Sequence, residues 1–147
     1  MHEMVSQNML ANVQEVTFAE HGDDRGKLIA LETLSEAVPF EVKRVYFIYD
    51  TTTGTVRGKH AYRQLRQMLI CVSGAYTIEC EMPDGTESEY RLGWPNKGLL
   101  IEGLVWHNMK EFSKDAVLLV IASEHYDEAD YIRGYEVFKG ETRKAND

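Results

Sequence analysis

The sequence predicts an all-β fold, a sandwich or barrel of about eight strands, and two observations lead to that class. Short runs rich in β-branched and aromatic residues recur along the chain, for example VKRVYFIYD at 42–50 and RQMLICV at 66–72. Turn-forming segments separate these runs, such as TTTG at 51–54 and PDGT at 83–86. Strand segments spaced in this way and divided by turn residues are typical of antiparallel sandwiches and barrels.

The predicted strands follow one another from residue 16 onward. Residues 1–15 lack a clean hydrophobic period, so they are interpreted as a loose lead-in or a short strand. PDGT predicts a hairpin, because proline presets φ, aspartate bonds locally and glycine accepts positive φ. The predicted strand segments are VTFAEH (16–21), KLIALET (27–33), VKRVYFIYD (42–50), RQMLICV (66–72), AYTIECEM (75–82), ESEYRL (87–92), LLIEGLVWHNM (99–109) and AVLLVIAS (116–123).

The end of the chain has a different pattern, which predicts short helices. Four aromatic or apolar residues recur at helical spacing, namely Tyr131, Ile132, Tyr135 and Phe138. Ser123 is a candidate N-cap ahead of acidic residues. Residues 124–147 are therefore predicted to pack as a helical tail against the barrel, and we assign them no chemistry. Residues 1–147 are predicted to form a single domain.

Charge and cysteine content narrow the function classes. The formal net charge of −8 argues against general affinity for nucleic acids or acidic membranes. Cys71 and Cys80 lie in apolar strand segments, and no apolar amino-terminal segment predicts export, so we expect free thiols in a reducing cytoplasm. Between Asp50 and Glu79 the chain has no acidic residue but carries four basic ones, which indicates either a pocket for an anion or a solvated strand face.

The spacing of residues 54–74 resembles the first motif of the cupin β-barrels. That motif runs Gly, five residues, His-x-His, three or four residues, Glu, six residues, Gly. Here Gly54, His60, Gln67 and Gly74 stand at matching positions, and Tyr62 takes the place of the second histidine. The resemblance implies a cupin-type double-stranded β-helix, that is, a jelly-roll barrel, with short C-terminal helices.

The side chains at the motif positions predict proton transfer rather than metal chemistry. A phenol and an amide replace two metal ligands, and His107 in EGLVWHNM is the candidate histidine of a second motif. Such a set binds divalent metals poorly, so we predict neither a metal nor metal-dependent dioxygenase activity. Because side chains alternate along a strand, His60 and Tyr62 are expected to face the barrel interior together. Imidazole and phenol are groups that move protons near neutral pH.

Longer stretches resemble one family, the nucleoside-diphosphate-sugar 3,4-ketoisomerases, which are metal-free cupins. The matching stretches are DDRGKLIALE (23–32), PFEVKRVYFIYD (39–50), RGKHAYRQLRQMLICVSG (57–74), LVWHNMKEFS (104–113) and VLLVIASEHYDEADYIRGYEVF (117–138). The resemblance implies a cofactor-free isomerase that moves the C4 ketone of dTDP-4-oxo-6-deoxyglucose to C3 through an enediol. It also implies a homodimer, and a product consumed in deoxyamino-sugar biosynthesis for surface polysaccharides.

The resemblance implies three catalytic residues. His60 matches the family's first histidine and is expected to abstract the carbon-bound proton. Tyr62 stands where the family has a second catalytic histidine, so it either delivers or relays a proton, holds an enediol oxygen, or fills only the histidine's volume. Tyr46 in RVYF matches a family tyrosine near the sugar; its alternative is a half-buried strand aromatic.

Six residues are predicted to bind substrate, namely Arg25, Arg44, Arg57, Lys59, Gln67 and His107. Arg57 and Lys59 would attract the diphosphate. Arg44 would contact phosphate or ketone, and its alternative is a solvated strand residue. By resemblance Arg25 and His107 line the hexose pocket, where this pair favours a 3-oxo-6-deoxygalactose product. Gln67 would serve as a hydrogen-bonding group.

Two other functions stay open. One is a dTDP-sugar 3,5-epimerase, although that family pairs its base with an aspartate and the stretch around His60 has no acidic residue. The other is a non-catalytic cupin that binds sugar nucleotides and has lost its activity together with the second histidine.

Overall fold

The computed structural model describes the backbone of residues 10–146 and the side chains of residues 10–141. Over that range the chain forms twelve β-strands, one 3₁₀-helix and one α-helix. In chain order these are β1 (Val13–Thr17), β2 (His21–Asp23), β3 (Gly26–Leu28), β4 (Arg44–Ile48), β5 (Arg57–Tyr62), β6 (Arg66–Ser73), β7 (Tyr76–Glu81), β8 (Glu87–Leu92), β9 (Lys97–Glu102), β10 (Trp106–Lys110), β11 (Val117–Ala122), the 3₁₀-helix (Glu128–Asp130), β12 (Tyr131–Ile132) and α1 (Tyr135–Asn146).

The strands build two five-stranded antiparallel sheets, the arrangement of a jelly-roll barrel. One sheet has the order β1-β9-β6-β11-β4 and the other the order β12-β5-β10-β7-β8, while β2 and β3 form a separate two-stranded ribbon. The predicted all-β, cupin-type class is therefore confirmed. Among the described residues, no helix is both long enough and apolar enough to cross a membrane.

The main hydrophobic core lies between the two sheets. Leu69, Leu99 and Leu118 come from one sheet and meet Ile78 and Leu92 of the other. Each of these side chains is at most 1% exposed. Burying a side chain of this size contributes roughly 1.5–3 kcal/mol, so the contact between the sheets supplies much of the stability of the barrel.

The central strand β6 is buried on both faces, which explains its continuous apolar sequence. Leu69 and Cys71 belong to the main core between the sheets. Met68 and Ile70 belong to a second cluster with Phe40, which lies in the loop before β4. The loop therefore covers a sheet face that would otherwise be exposed to water.

The PDGT hairpin is confirmed. Strands β7 and β8 pair antiparallel across it, with Glu81 opposite Glu87. Gly85 has φ +93°, as the turn requires. The amide of Met82 donates to the carbonyl oxygen of Thr86 at 2.8 Å and closes the hairpin.

Several predicted strand boundaries differ from the structure, including KLIALET (27–33), where the strand β3 ends at Leu28. The first strand begins at Val13, inside the stretch 1–15 that the sequence indicates as a lead-in or a short strand; residues 1–9 lie outside the described residues. The segment 99–109 forms two strands instead of one, because Gly103 adopts φ +76° and turns the chain between β9 and β10.

The predicted helical tail is wrong in its first half. Tyr131 and Ile132 form β12 and pair with Tyr62 and Ala61 of β5, and the α-helix begins only at Tyr135. The long-range strand pairing overrides the helical spacing that the sequence shows. A helix from residue 124 is thus replaced by an extended segment with one 3₁₀ turn.

Ser123 does not cap a helix. Its hydroxyl accepts a hydrogen bond from the amide of Arg66 at 2.9 Å and so ties the end of β11 to β6. The helix α1 that does form packs Phe138 against Ile132 and Ala61 on the barrel.

The carboxylate of Asp130 joins the segment before α1 to the turn between β5 and β6. It accepts hydrogen bonds from the backbone amides of Arg63 at 3.2 Å, Gln64 at 2.8 Å and Leu65 at 3.1 Å. The amide of Arg63 also donates to the backbone carbonyl oxygen of Asp130 at 3.1 Å, whereas the amides of Gln64 and Leu65 have the carboxylate as their acceptor.

We expect Asp130→Ala to lower the free energy of unfolding by about 2 kcal/mol, because three backbone amides lose their charged acceptor. Urea denaturation followed by circular dichroism measures this change. Asp127→Ala is the matched control, since the Asp127 carboxylate caps only the amide of Ala129. Its expected cost is about 1 kcal/mol. Equal losses in the two variants would contradict the anchoring role of Asp130.

Candidate active site

A cavity of about 350 Å³ lies between the edge strand β4 of one sheet and strands β5 and β12 of the other. Its lining residues are Arg44, Tyr46, Ile48, Arg57, Gly58, His60, Tyr62, Met109, Tyr126, Tyr131 and Arg133. The lining combines one imidazole, four phenols and three guanidinium groups, and it contains no carboxylate. Such a lining suits a polar anion that undergoes proton transfer.

Two other hollows offer less chemistry. One, of about 340 Å³, is lined by four glutamates of β7 and β8, which would repel an anion. The other, of about 670 Å³, lies beside the β2–β3 ribbon at the exposed Trp94 and has no histidine, cysteine or tyrosine in its lining. The cavity at His60 is therefore the candidate active site.

A β-bulge in β5 sets the direction of the side chains in the site. His60 pairs with His107, and the next pair is Gly58 with Asn108, so Lys59 is the extra residue. Gly58 has φ +90°, and a Cβ there would lie 2.8 Å from the carbonyl oxygen of His107. Only glycine fits that position. Beyond the bulge the alternation resumes, and His60 and Tyr62 both face the cavity, as predicted.

His60 and Tyr62 are in hydrogen-bonding contact within the cavity. The Nε2 atom of His60 lies 3.0 Å from the hydroxyl of Tyr62. Burial lowers the pKa of His60, although the carbonyl of Gly58 opposes that shift. Burial raises the pKa of the Tyr62 hydroxyl, mainly by desolvation of the phenolate. At neutral pH the pair is thus a neutral imidazole and a protonated phenol, a base next to a proton donor.

His107 and Gln67 lie behind His60 rather than in the cavity lining. The ring centroids of His60 and His107 are 5.0 Å apart. His107 Nδ1 lies 3.1 Å from the carbonyl oxygen of Val105, which requires a proton on Nδ1. Nε2 can then accept from the amide of Gln67 at 3.2 Å. Burial lowers the pKa of His107 to about 3, so this ring stays neutral and holds His60 by packing.

Arg44 has an unpaired hydrogen-bond donor that a ligand in the cavity could satisfy. Its buried Nε atom has no partner among the described residues. Its guanidinium lies 5.1 Å from the ring centroid of Tyr46 and 5.7 Å from that of Tyr126, which fixes its position. Desolvation is the main cause that raises the pKa of Tyr46, so this phenol is also protonated at neutral pH. A ligand oxygen would satisfy the unpaired donor of Arg44.

The structure brings together five of the nine residues predicted for the site: His60, Tyr62, Tyr46, Arg44 and Arg57. The other four lie outside the cavity lining, and their substrate contacts stay predictions. Gln67 and His107 are buried behind His60.

Arg25 and Lys59 point elsewhere for identifiable reasons. Arg25 lies at the turn of the β2–β3 ribbon, and its guanidinium pairs with Asp23 at 2.7 Å while most of it remains exposed. Lys59 is the bulged residue of β5 and has φ +60°, which takes its exposed side chain out of the alternation that faces the cavity. The sequence shows the basic residue but not the bulge.

Six lining residues were not predicted for the site, and three of them carry a phenol or a guanidinium: Tyr126, Tyr131 and Arg133. These three belong to the stretch that the sequence predicts as helical. An available signal was the alternation of Tyr131 and Arg133 with the apolar Ile132, which fits a strand with one polar face. The helical spacing of Tyr131 to Tyr135 and Phe138 favoured a helix over this strand pattern.

The donor atoms of the site match proton chemistry. Within the described residues, no three histidine, cysteine, aspartate or glutamate side chains lie close enough to hold a metal ion together. Cys71 and Cys80 are buried free thiols that lie outside the cavity lining. The neutral His60, the protonated phenols and the guanidinium groups can take, give and stabilise protons and negative charge.

Comparisons with known proteins place this site in context. The family model described as FdtA, WxcM-like, C-terminal, matches residues 11–143. The chain is 42% identical over 132 residues to a TDP-4-oxo-6-deoxy-alpha-D-glucose-3,4-oxoisomerase of Aneurinibacillus thermoaerophilus, covering 89% of this chain and 93% of the relative.

Solved structures show the same similarity to sugar 3,4-ketoisomerases. The sugar 3,4-ketoisomerase QdtA of Thermoanaerobacterium thermosaccharolyticum, in complex with TDP, matches with a TM-score of 0.88 and 41% identity, covering 93% of this chain and 98% of that one. A 4-keto-6-deoxy sugar epimerase of Streptomyces spheroides matches with a TM-score of 0.70 but only 20% identity, covering 82% of this chain and 68% of that one, which is a likeness of fold alone.

Proposed function

The chain belongs to the WxcM-like family, and from that premise we propose that it converts dTDP-4-oxo-6-deoxyglucose into a dTDP-3-oxo-6-deoxyhexose. It is an isomerase, as its relatives are sugar 3,4-oxoisomerases and 3,4-ketoisomerases. The observation that carries the proposal is the His60–Tyr62 pair, with 3.0 Å between base and phenol, in a cavity bordered by arginines.

The chemistry requires only proton transfer. The hydrogen at C3 of the sugar is acidic because it lies next to the C4 ketone, and the Nε2 atom of His60 has the lone pair to remove it. The electron pair moves into a C3–C4 double bond, and the C4 oxygen takes a proton, which gives an enediol. Return of the carbon-bound proton to C4 and loss of the proton on the C3 oxygen leave the ketone at C3.

The remaining side chains are assigned by charge and position. Tyr62 and Tyr46 are protonated donors for the enediol oxygens. Arg44, with its unpaired Nε, and Arg57 would hold the diphosphate or the ketone oxygen. The galacto product is proposed from the family resemblance alone, since Arg25 and His107 lie outside the cavity lining.

The epimerase alternative is less well supported by the site. An epimerase of the kind considered above pairs its histidine base with an aspartate, whereas His60 has Tyr62 as its partner and the cavity lining contains no carboxylate. A non-catalytic binding protein would not require a neutral imidazole next to a phenol, as His60 and Tyr62 are here.

We also propose that the enzyme is a cytoplasmic homodimer whose product is consumed by an aminotransferase. The edge strand β4 supports a second copy, because Val45, Phe47 and Tyr49 expose 54%, 61% and 61% of their area beside a strand edge with which no other described strand pairs. The buried free thiols of Cys71 and Cys80 suit a reducing compartment.

Incubation with dTDP-4-oxo-6-deoxyglucose in deuterated water tests the function. A 3-oxo product with deuterium at C4, identified by NMR, is the expected result. Deuterium at C3 and C5 with the ketone still at C4 would support an epimerase. Tight binding without any exchange would support a binding protein.

The acid limb of the pH profile of kcat/KM is expected to have its midpoint below pH 6.5. Burial lowers the pKa of His60, so the ring stays neutral, and able to act as a base, to a lower pH than a free histidine does. Activity falls only as the pH drops through that lowered pKa. The raised pKa values of Tyr46 and Tyr62 predict no alkaline limb below about pH 10. Initial rates from pH 5 to 9 check this, and a midpoint above 6.5 would contradict a desolvated base.

A further inference from the structure

Residues 126–133, which we call the strap, close one side of the cavity. Asp130 anchors the strap to the turn after β5. Its two-residue strand β12 pairs with β5 so that Tyr131 lies directly opposite Tyr62. Residues opposite each other in an antiparallel pair face the same side of the sheet, so the fold places the two phenols next to each other on the cavity side.

Tyr131 completes a compact triangle of rings. Its ring centroid is 4.6 Å from that of Tyr62 and 5.3 Å from that of His60. The guanidinium of Arg133 lies over the Tyr131 ring at 4.2 Å from the centroid. Glu128 holds that guanidinium through two hydrogen bonds of 2.9 Å each. The strap thus holds a guanidinium against the ring face of Tyr131.

The reaction needs a second proton path besides that of His60. While the imidazole moves the carbon-bound proton from C3 to C4, a hydroxyl proton must leave the C3 oxygen and another must reach the C4 oxygen. If one buried phenol gave its proton before receiving another, it would become a phenolate. Burial raises the pKa of Tyr62, so that phenolate is costly.

We propose that Tyr131 is a catalytic residue and forms with Tyr62 a two-phenol bridge between the C4 and C3 oxygens of the substrate. This proposal rests on the 3,4-ketoisomerase function proposed above. It explains how Tyr62 can stand at the position of the family's second histidine. A phenol is a weaker base than an imidazole, and Tyr131 supplies a second group that can give and take a proton.

Each step of the bridge balances. As His60 removes the proton from C3, the C–H electron pair forms the C3–C4 double bond and the ketone π pair moves to the C4 oxygen, which takes the Tyr62 proton. Tyr62 recovers a proton from Tyr131, whose ring lies beside the guanidinium of Arg133. Tyr131 takes the proton of the C3 oxygen as the C3 ketone forms, and the imidazolium of His60 returns its proton to C4. No oxidant, reductant or metal takes part.

Tyr131→Phe is expected to lower kcat about 100-fold with KM changed by less than about threefold, because a general acid–base group is lost while the ring remains. Substrate turnover by NMR and TDP binding by calorimetry measure the two effects. Tyr135→Phe is the matched control: its hydroxyl bonds to Glu81 outside the cavity lining, and it should retain full turnover. A kcat within twofold of the unsubstituted enzyme in Tyr131→Phe would overturn the proposal.

Two further variants separate catalysis from structure. Tyr131→His restores a group that moves protons and should recover kcat to within about tenfold, whereas a purely structural ring predicts that His is worse than Phe. In a Tyr62→His background, Tyr131→Phe should change kcat by less than about threefold, because imidazole exchanges protons near neutral pH unaided. An equal loss in both backgrounds would refute the bridge. If the unsubstituted enzyme formed no 3-oxo product, the proposed function itself would fail.

Discussion

His60→Asn is expected to lower kcat about ten-thousandfold and to leave TDP affinity almost unchanged. The amide of asparagine can keep a hydrogen bond to Tyr62, but it cannot take a proton from carbon, and general acid–base groups contribute up to about 10⁴-fold. The variant should also stop the exchange of the C3 hydrogen with deuterated water. NMR of the substrate in that solvent, together with calorimetry using TDP, measures both properties.

His21→Asn is the matched control, because His21 lies on the exposed β2 strand outside the cavity lining. It should turn over substrate at the rate of the unsubstituted enzyme. Retention of C3 exchange in His60→Asn would mean that another group removes the proton, and Tyr62 would then be the nearest candidate at 3.0 Å.

Tyr62→Phe is expected to lower kcat about a thousandfold, because it removes the hydroxyl that faces both His60 and the enediol oxygens while it keeps the ring. The aromatic contacts with His60 and Tyr131, at centroid distances of 5.0 Å and 4.6 Å, remain available to phenylalanine. Loss of activity with normal TDP binding and normal thermal unfolding would therefore report on the hydroxyl alone. The double variant Tyr62→Phe/Tyr131→Phe should be within about threefold of Tyr62→Phe, because groups that act as a unit are not additive.

Full turnover by Tyr62→Phe would show that the tyrosine only fills the volume of the family's histidine. The inverse substitution is informative as well. Tyr62→His places an imidazole beside His60, and an active variant would show that the cavity accommodates either group.

The sequence was sufficient to predict the barrel and the common orientation of His60 and Tyr62 for clear physical reasons. Apolar runs divided by turn residues specify strands, and the side-chain period of two places His60 and Tyr62 on one face. Of the four basic residues in the acid-free stretch between Asp50 and Glu79, Arg57 lies in the cavity lining, so this stretch predicts one of the three arginines found there. These features depend on local sequence, which can be read without knowing the partners.

The strap could not be predicted because its structure depends on partners far along the chain. Tyr131 becomes a strand residue by pairing with Tyr62, and Asp130 meets amides that are about 65 positions away. Lys59 is a different case, since a bulge of one residue leaves no trace in the hydrophobic pattern. Arg25 pairs with its neighbour Asp23, and nothing in its own segment indicates a cavity.

The strap follows the strands of the barrel in the sequence, so it is synthesised after them. Strands β1 to β11 end at Ala122 and contain both complete faces of the main core, whereas Tyr126, Tyr131 and Arg133 follow them in the chain. During synthesis from the amino terminus, the barrel can therefore collapse while its cavity still lacks one wall. We therefore expect a chain that ends at Ala122 to leave His60 more exposed to water, because the strap that closes one side of the cavity is missing.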